Sequence, residues 1–284
     1  MLGNLVQKGL YFSGLPAILR SIGKNRRAIS VMFHGVFVNR VEGVPDKLYF
    51  GMQVGEFEKV LQWFKKENIK IITTDELLMG KPGLHLTFDD GYANNYEVAL
   101  PLLKKYNFPA IVFITTKHLR AQANANSDFL DVFQNWEKQY VNEHGKQLPR
   151  SFLEENWNAL TTEQFKLLAA SDLIEIGCHT HTHPKLPGLT YEQQLYELSH
   201  SKAIIEEVTG KTVKYFSYPF GLYNADSIKA VSQLGFKAAF AVVPHNIQGE
   251  YKYQIPRIGM YGSSPFYLSS KLSFYYMPVN SKKL

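Results

Sequence analysis

The chain has 284 residues, 45% of them hydrophobic and 20% charged, which excludes a disordered or fibrous protein and allows a large core. Its formal net charge of +6 is modest, and no basic run alternates with aromatic residues, which argues against nucleic-acid binding. The only cysteine, Cys178, cannot form an intramolecular disulfide, so a reducing compartment is expected.

Residues 1–27 combine apolar residues at near-helical spacing with a basic end, Lys24, Arg26 and Arg27. A signal peptide is not evident, because Gln7 and Lys8 interrupt the apolar stretch. Two interpretations stay open for this amphipathic segment: a helix packed on its own domain, or an anchor lying on a membrane surface. We expect a cytoplasmic protein. If residues 1–27 are an anchor, they would contact the inner face of the membrane.

Strand-like and helix-like patterns alternate through residues 28–262. In chain order, buried strands are predicted at 28–36, 69–74, 84–88, 110–116, 173–177, 213–220, 236–243 and 254–261. Helices are predicted between them, including one with Phe57, Val60, Leu61 and Phe64 on one face and a long one closed by Gly210. Residues 117–157 are interpreted as an insertion, and residues 263–284 as an aromatic and basic tail.

This alternation predicts an α/β fold with about seven parallel strands. A glycine-rich phosphate loop is missing after the first strand, which disfavours a dinucleotide-binding sheet and favours a (β/α) barrel. The carboxyl ends of barrel strands form one face, where the active sites of such proteins lie. Polar residues end four predicted strands and are expected at that face: His34, Asp89 with Asp90, the histidines from His179 onward, and the Pro219–Phe220 pair.

Two of these segments have the composition of a metal site. His179 and His183 have the i, i+4 spacing of one helical turn and can face one ion, while His181 is kept as a reserve ligand. Adjacent carboxylates such as Asp89 and Asp90 repel each other unless a cation or hydrogen bonds compensate. One of them can complete a two-histidine, one-carboxylate site and the other can act as a base, although either could also cap the following helix.

The motifs TFDDG (87–91), HTHTH (179–183) and YPFG (218–221), in this order, resemble those of polysaccharide deacetylases, carbohydrate esterase family 4. The resemblance covers about residues 28–257 and implies a distorted (β/α) barrel that removes N-acetyl groups from amino sugars with the help of a metal. It also implies residue roles: Asp89 as the catalytic base, Asp90, His179 and His183 as metal ligands, and Phe220, beside Tyr218 in the third motif, as a backbone donor to the oxyanion.

The chain departs from the family pattern at two places. Ser217 stands where many members have an arginine that orients the base. Arg257 is the candidate replacement, and a simple ion pair at the rim is the alternative. The late histidine that serves as general acid in many members is also missing. His34 is the expected general acid because it ends an apolar strand, and His245 is the alternative. Of the other histidines, His85 is expected in the core or the lower barrel, and His118, His144 and His200 are expected at the surface.

The sequence therefore predicts a metal-dependent carbohydrate N-deacetylase acting on a polysaccharide or on a lipid- or nucleotide-linked glycan precursor. Zinc is the expected cofactor, and two histidines with one carboxylate could also hold nickel, cobalt or iron. Two alternatives stay open: a deformylase or other C–N hydrolase on the same fold, and a catalytically silent sugar-binding barrel.

Overall fold

The computed structural model describes residues 28–119, 131–242 and 251–276. The predicted amphipathic segment 1–27, part of the insertion, His245 and the end of the tail lie outside the described residues.

A closed barrel of seven parallel strands forms the centre of the described chain, as predicted. In chain order the strands are β1 (Ala28–Phe33), β2 (Gly35–Phe37), β3 (Gly51–Gln53), β4 (Gly83–Phe88), β5 (Ala110–Ile114), β6 (Ile174–Cys178), β7 (Tyr215–Ser217), β8 (Ala238–Val242) and β9 (Ile255–Gly259). The barrel runs β1-β4-β5-β6-β7-β8-β9 and closes where β9 pairs with β1, while β2 and β3 pair with each other outside it.

The apolar content of the strands explains their position. In β1 and β4 every residue after the first is buried, because one face points into the barrel and the other lies under the surrounding helices. The interior contains a small cluster that includes Phe113, Tyr215 and Phe240. The outer faces pack against the helices in the main core.

The helices surround the barrel. They are α1 (Val54–Lys66), α2 (Thr74–Leu78), α3 (Leu100–Tyr106), α4 (Asp131–His144), α5 (Arg150–Phe152), α6 (Thr162–Ala169), α7 (Tyr191–Thr209), α8 (Ala225–Gln233) and α9 (Pro265–Tyr276). Capping boxes start α2, α6, α7 and α8. Gly210 closes α7 with φ 66°, as predicted.

Two predicted strands differ from the structure. The predicted strand 69–74 contributes only an isolated bridge between Ile71 and Leu84, because Thr73 already caps α2. The first predicted strand is interrupted at His34. Phe33 O still accepts a hydrogen bond from Asp89 N in the barrel, whereas Gly35 N donates to Phe50 O outside it. His34 therefore lies at the point where the chain leaves the barrel mouth.

The predicted insertion packs on the segment that follows β1. Its Tyr140, Phe152 and Trp157 join Phe37 and Tyr49 in a second hydrophobic cluster beside the mouth. Part of the predicted tail packs on the barrel, since Leu268 and Leu272 of α9 are buried in the main core. Within the described ranges, none of the helices combines the length and apolar character that a bilayer crossing requires.

Candidate active site

The turn after β4 delivers two carboxylates to the barrel mouth. Asp90 and Gly91 both have positive φ, 79° and 82°, so the chain reverses sharply just after Asp89. A non-glycine residue in this region is strained, and such strain is typical of functional sites. The reversal points the side chains of Asp89 and Asp90 in different directions, although they are neighbours in the sequence.

Asp90, His179 and His183 converge on one point. Asp90 Oδ1 lies 3.4 Å from His179 Nε2 and 3.3 Å from His183 Nε2. The three potential ligand atoms lie within 4.8 Å of one another, and all three side chains are nearly or fully buried. His179 Nδ1 lies 2.7 Å from Ser217 O, so it donates there and leaves Nε2 as the nitrogen with a free lone pair.

The chemistry of this cluster fits a divalent cation. Asp90 Oδ1 is buried and has no hydrogen-bond donor among the described residues. This oxygen faces the Nε2 atoms of His179 and His183. Burial would raise the pKa of Asp90, but His179 and His183 outweigh burial and hold that pKa well below its usual range. Two histidines and one carboxylate are a familiar ligand set for zinc and related metals, with further positions open.

Asp89 has a separate partner, Arg257. The guanidinium donates to both carboxylate oxygens, with Nη1 2.6 Å from Oδ1 and Nη2 2.7 Å from Oδ2. Burial raises the pKa of Asp89, but Arg257 and then His179 more than offset burial, so that pKa lies below its usual value. Arg257 reaches this position because it lies two residues after Ile255 on β9 and therefore shares its inward face.

Ser217 also contacts Arg257, although it occupies the position of the family's usual arginine. Its hydroxyl accepts a hydrogen bond from Arg257 Nη2 at 2.7 Å, and Thr87 Oγ1 accepts one from Arg257 Nη1 at 3.1 Å. Arg257 is only 1% exposed, so it is not a rim residue. The structure thus brings an arginine from β9 to Asp89, and its role in orienting a base stays a prediction.

His34 lies at the same mouth, as the sequence predicts for a strand-ending residue. Its ring makes an edge contact with Phe50 at a centroid distance of 5.1 Å, and its carbonyl accepts a hydrogen bond from Asn95 Nδ2. Burial lowers the pKa of His34, and the nearby Asp90 and Asp89 offset part of this effect. The imidazole side chain makes no hydrogen bond to another described residue, so its nitrogens are available to a bound molecule.

The third motif divides into an exposed and a buried residue. Phe220 is 45% exposed, has φ 58°, and its ring lies 4.7 Å from the His183 ring. Tyr218 is fully buried, and its hydroxyl donates to Tyr253 O at 3.0 Å. The backbone of Phe220 is therefore at the site, whereas the side chain of Tyr218 belongs to the core and does not support a direct contact with substrate.

The other histidines take structural positions, with one correction. His181 turns away from the metal cluster, with Nδ1 2.9 Å from Thr116 Oγ1, so it is not the third histidine of the site. His85 is a core residue between Ser30 and Thr74, as predicted. The prediction of a surface position is wrong for His118, which is buried at the end of β5.

Two residues near the site were missed by the sequence analysis. Glu197, in the middle of α7, accepts hydrogen bonds from the loop that carries His179 and His183. Tyr261, just after β9, is 68% exposed and its ring lies over Gly259. No pattern marks either residue, because a glutamate in a helix and a tyrosine after a strand are common without any function.

These features together define a deacetylase-type barrel, and the chain belongs to the polysaccharide deacetylase family. The family model with that description matches residues 79–239, more than half of the chain. The match includes TFDDG, HTHTH and YPFG, the motifs that contribute Asp89, Asp90, His179, His183 and Phe220.

Individual relatives agree with this assignment. The Bacillus subtilis protein YxkH is 28% identical over 247 residues, which is 82% of this chain and 73% of YxkH. The poly-β-1,6-N-acetyl-D-glucosamine N-deacetylase of Staphylococcus aureus is 26% identical over 229 residues, which is 74% of this chain and 67% of that protein. The Streptococcus pyogenes deacetylase PplD, solved in complex with acetate, shares the fold with a TM-score of 0.62 and 19% identity, over 89% of this chain and 100% of that chain.

Proposed function

We propose that this protein is a metal-dependent hydrolase that removes the N-acetyl group from an amino sugar of a glycan. The observation that carries the proposal is the pairing of two clusters at one mouth. Asp90, His179 and His183 form a ligand set, and Asp89 beside it is held by Arg257. A ligand set next to a separate, oriented carboxylate supports metal-assisted hydrolysis of an amide, with the carboxylate as general base.

Each residue of the site has a separate role in hydrolysis. A divalent ion, zinc by default, held by Asp90, His179 and His183 would supply a Lewis acid for the water and the acyl carbonyl. Asp89 takes the proton from the attacking water, and the two hydrogen bonds from Arg257 keep its carboxylate ionised and correctly oriented. The Phe220 N–H donates to the oxyanion of the tetrahedral intermediate.

His34 supplies a proton to the leaving amine. Its imidazole is at the mouth, is not hydrogen-bonded to another described residue and is close enough to both aspartates for their charges to act on it. Histidine is the side chain whose unperturbed pKa suits proton transfer near neutral pH. His245, the alternative acid, lies outside the described residues.

The relatives and the rim of the site both support a polymer of an N-acetylated amino sugar as the substrate. The Staphylococcus aureus relative is named for a polymer of N-acetyl-D-glucosamine, which favours a polymeric substrate here. Two exposed aromatic rings, Phe220 and Tyr261, border the mouth after β7 and β9 and offer apolar faces to a sugar ring. A lipid- or nucleotide-linked precursor stays a prediction, and so does contact of residues 1–27 with a membrane.

Acetate release tests the proposal directly. The purified chain is freed of metal with a chelator, reloaded with zinc, nickel, cobalt or iron, and incubated with N-acetylglucosamine oligomers, N-formyl analogues and nucleotide-linked amino sugars. We expect acetate from the oligomers only after metal is restored. Formate as the main product would favour the deformylase alternative, and tight oligomer binding without any product would favour the silent barrel.

The cellular location is a separate proposal. We propose that the protein works in the cytoplasm, with residues 1–27 touching the inner face of the membrane. Fractionation of cells that express the untagged chain checks this. Recovery of most of the protein from the medium or from outside the cytoplasmic membrane would contradict it.

A further inference from the structure

The loop between His179 and His183 has an unusual backbone for a metal-binding segment. Thr180 and His183 both have positive φ, 67° and 60°, so the loop is not a helical turn, although its two ligands have helical spacing. It therefore lacks the backbone hydrogen bonds of a helix. Within the loop, the Thr180 hydroxyl accepts a hydrogen bond from His183 N at 3.0 Å and donates one to His179 O. The middle of the loop, at His181 and Thr182, is held by groups from outside the loop.

The carbonyl groups of this loop are bound by the neighbouring segment after β5. Thr116 N donates to Thr180 O at 3.3 Å, and Lys117 N donates to His181 O at 2.9 Å. These contacts tie one side of the loop to the barrel. They leave the amide groups on the other side, at His181 and Thr182, to be satisfied from elsewhere.

Glu197 of α7 satisfies these amide groups. Its Oε2 accepts hydrogen bonds from His181 N at 3.0 Å and from Thr182 N at 2.8 Å, and its Oε1 accepts one from the Thr182 hydroxyl at 2.7 Å. The Glu197 residue is only 8% exposed. A buried carboxylate is costly unless it is hydrogen-bonded, and charge-assisted bonds to backbone N–H groups are strong.

We infer that Glu197 is a positioning residue for the metal site, which holds the His179–His183 loop in the shape that makes both imidazoles face Asp90. The inference rests on the proposed function only in that the ligand set binds a metal. Without the carboxylate, two part-buried amides and a hydroxyl lose their partner, and the loop relaxes from its strained conformation. His183, at the far end of the loop, then leaves its place 3.3 Å from Asp90.

The affinity of the full-length protein for Zn²⁺ alone tests this role. The metal-free protein is titrated with Zn²⁺ against a chromophoric chelator in the parent, Glu197→Ala and Glu197→Gln. We expect Glu197→Ala to raise the Kd about 10- to 100-fold, the usual effect of a lost partner behind a metal ligand. Glu197→Gln should stay within about threefold, because its amide oxygen still accepts from both N–H groups and its NH₂ donates to the Thr182 hydroxyl.

A matched control and a second variant keep the test decisive. Glu207→Ala removes an exposed carboxylate from the same helix and should leave the Kd unchanged. Glu197→Asp keeps the charge but is one methylene too short, so it should raise the Kd about tenfold, and it decides the matter if Glu197→Ala does not fold. A lower melting temperature of the metal-free variants with parental Zn²⁺ affinity would make Glu197 merely structural and overturn the inference.

Acetate release by the zinc-loaded parent separates the two proposals. If the parent binds Zn²⁺ but releases no acetate, the proposed function fails, and a raised Kd in Glu197→Ala still supports the positioning role. If the parent releases acetate and Glu197→Ala binds Zn²⁺ as tightly as the parent, the positioning role alone fails.

Discussion

Asp89 and Asp90 are adjacent in the chain but have different partners. Asp90 faces two imidazole nitrogens, and Asp89 faces a guanidinium that reaches it from the last barrel strand. Because each partner stabilises the ionised carboxylate, both aspartates can stay charged side by side in a buried site. The two residues can therefore have separate functions, one in binding an ion and the other in taking a proton.

Substitutions should separate these two functions. Asp90→Ala, His179→Ala and His183→Ala should each lower the bound metal to a small fraction, because each removes a ligand. Asp89→Asn should keep the metal and lose about two to four decades of kcat, the usual contribution of a general base. Metal analysis beside acetate release checks both. A full metal site in Asp90→Ala, or an empty one in Asp89→Asn, would mean that the roles are exchanged.

Arg257 should control the pH range in which the base is ionised. Arg257→Lys cannot donate to both oxygens of Asp89 in the same plane, so the pKa of Asp89 should rise towards its usual value. With a higher pKa the base is protonated over a wider acid range, and the acid limb of the kcat/KM profile should move to higher pH. Arg150→Lys, at an exposed ion pair with Glu154, is the control and should leave the profile unchanged.

His34 can be tested against its alternative. His34→Ala should keep the fold and the metal and lose about two to four decades of rate, as expected for a general acid. The loss should be smaller for a substrate whose leaving group needs no proton. If His245→Ala shows this behaviour instead and His34→Ala is nearly as active as the parent, the acid comes from the segment after β8.

At the scale of elements, β5 and β6 show how closely the barrel interior is packed. Gly177 pairs with Phe113 across the two strands, and a Cβ at Gly177 would lie 2.3 Å from Phe113 Cδ1. The Phe113 ring in turn lies 5.5 Å below the Arg257 guanidinium. The absence of one methyl group on β6 therefore makes room for the ring beneath the arginine that binds Asp89.

Gly177→Ala should destabilise the protein by about 1–3 kcal/mol, because a buried methyl group would be forced against an aromatic ring. Urea unfolding measures the loss. Gly188→Ala is the control, since a Cβ there meets no atom within 4 Å. Combining Gly177→Ala with Phe113→Leu should recover part of the stability, since the two sites share one space.

Some elements could be predicted from the sequence and others could not. Strands such as β4 and β5 are apolar on both faces, and α1 has a clear buried stripe at Phe57, Val60, Leu61 and Phe64. These patterns are local. The break at His34 is not, because it depends on the hydrogen bond between Gly35 and Phe50. A sequence pattern also does not tell whether Tyr218 faces the site or the core.

The same limit applies to the candidate site. Asp90, His179 and His183 could be predicted because they belong to short motifs at strand ends, where topology brings them together. The contact between Arg257 and Asp89 could be named only as one of two alternatives. The contacts of Glu197 could not be predicted from the sequence, because its hydrogen bonds join the middle of α7 to the loop between His179 and His183.

At the scale of the whole molecule, stability should depend on pH through His85. Its ring lies between Ser30 and Thr74 at the other end of the barrel from the metal cluster, and burial lowers its pKa from 6.5 to about 3. The unfolded chain takes up a proton near pH 6.5, whereas the folded protein does so only near pH 3. Stability is therefore lost as the pH falls through this window.

Between pH 7 and pH 5 this residue should lower the free energy of unfolding by about 2 kcal/mol. Urea unfolding of the metal-free protein at the two pH values measures the change. His85→Gln should be less stable at pH 7 but should show a smaller loss on acidification. An equal loss in the parent and in His85→Gln would assign the pH dependence to other groups, such as Asp89.

The contact between Asp89 and Arg257 fixes the order in which parts of the site form while the chain is synthesised. The two residues are 168 positions apart, and β1 lies between their strands, so their contact forms only when β9 closes the barrel. A chain emerging from the ribosome carries both carboxylates, His179 and His183 long before it carries Arg257. Asp89 therefore gains its arginine partner last, and a chain that ends before β9 would carry the Asp90, His179 and His183 cluster residues without the guanidinium that holds Asp89.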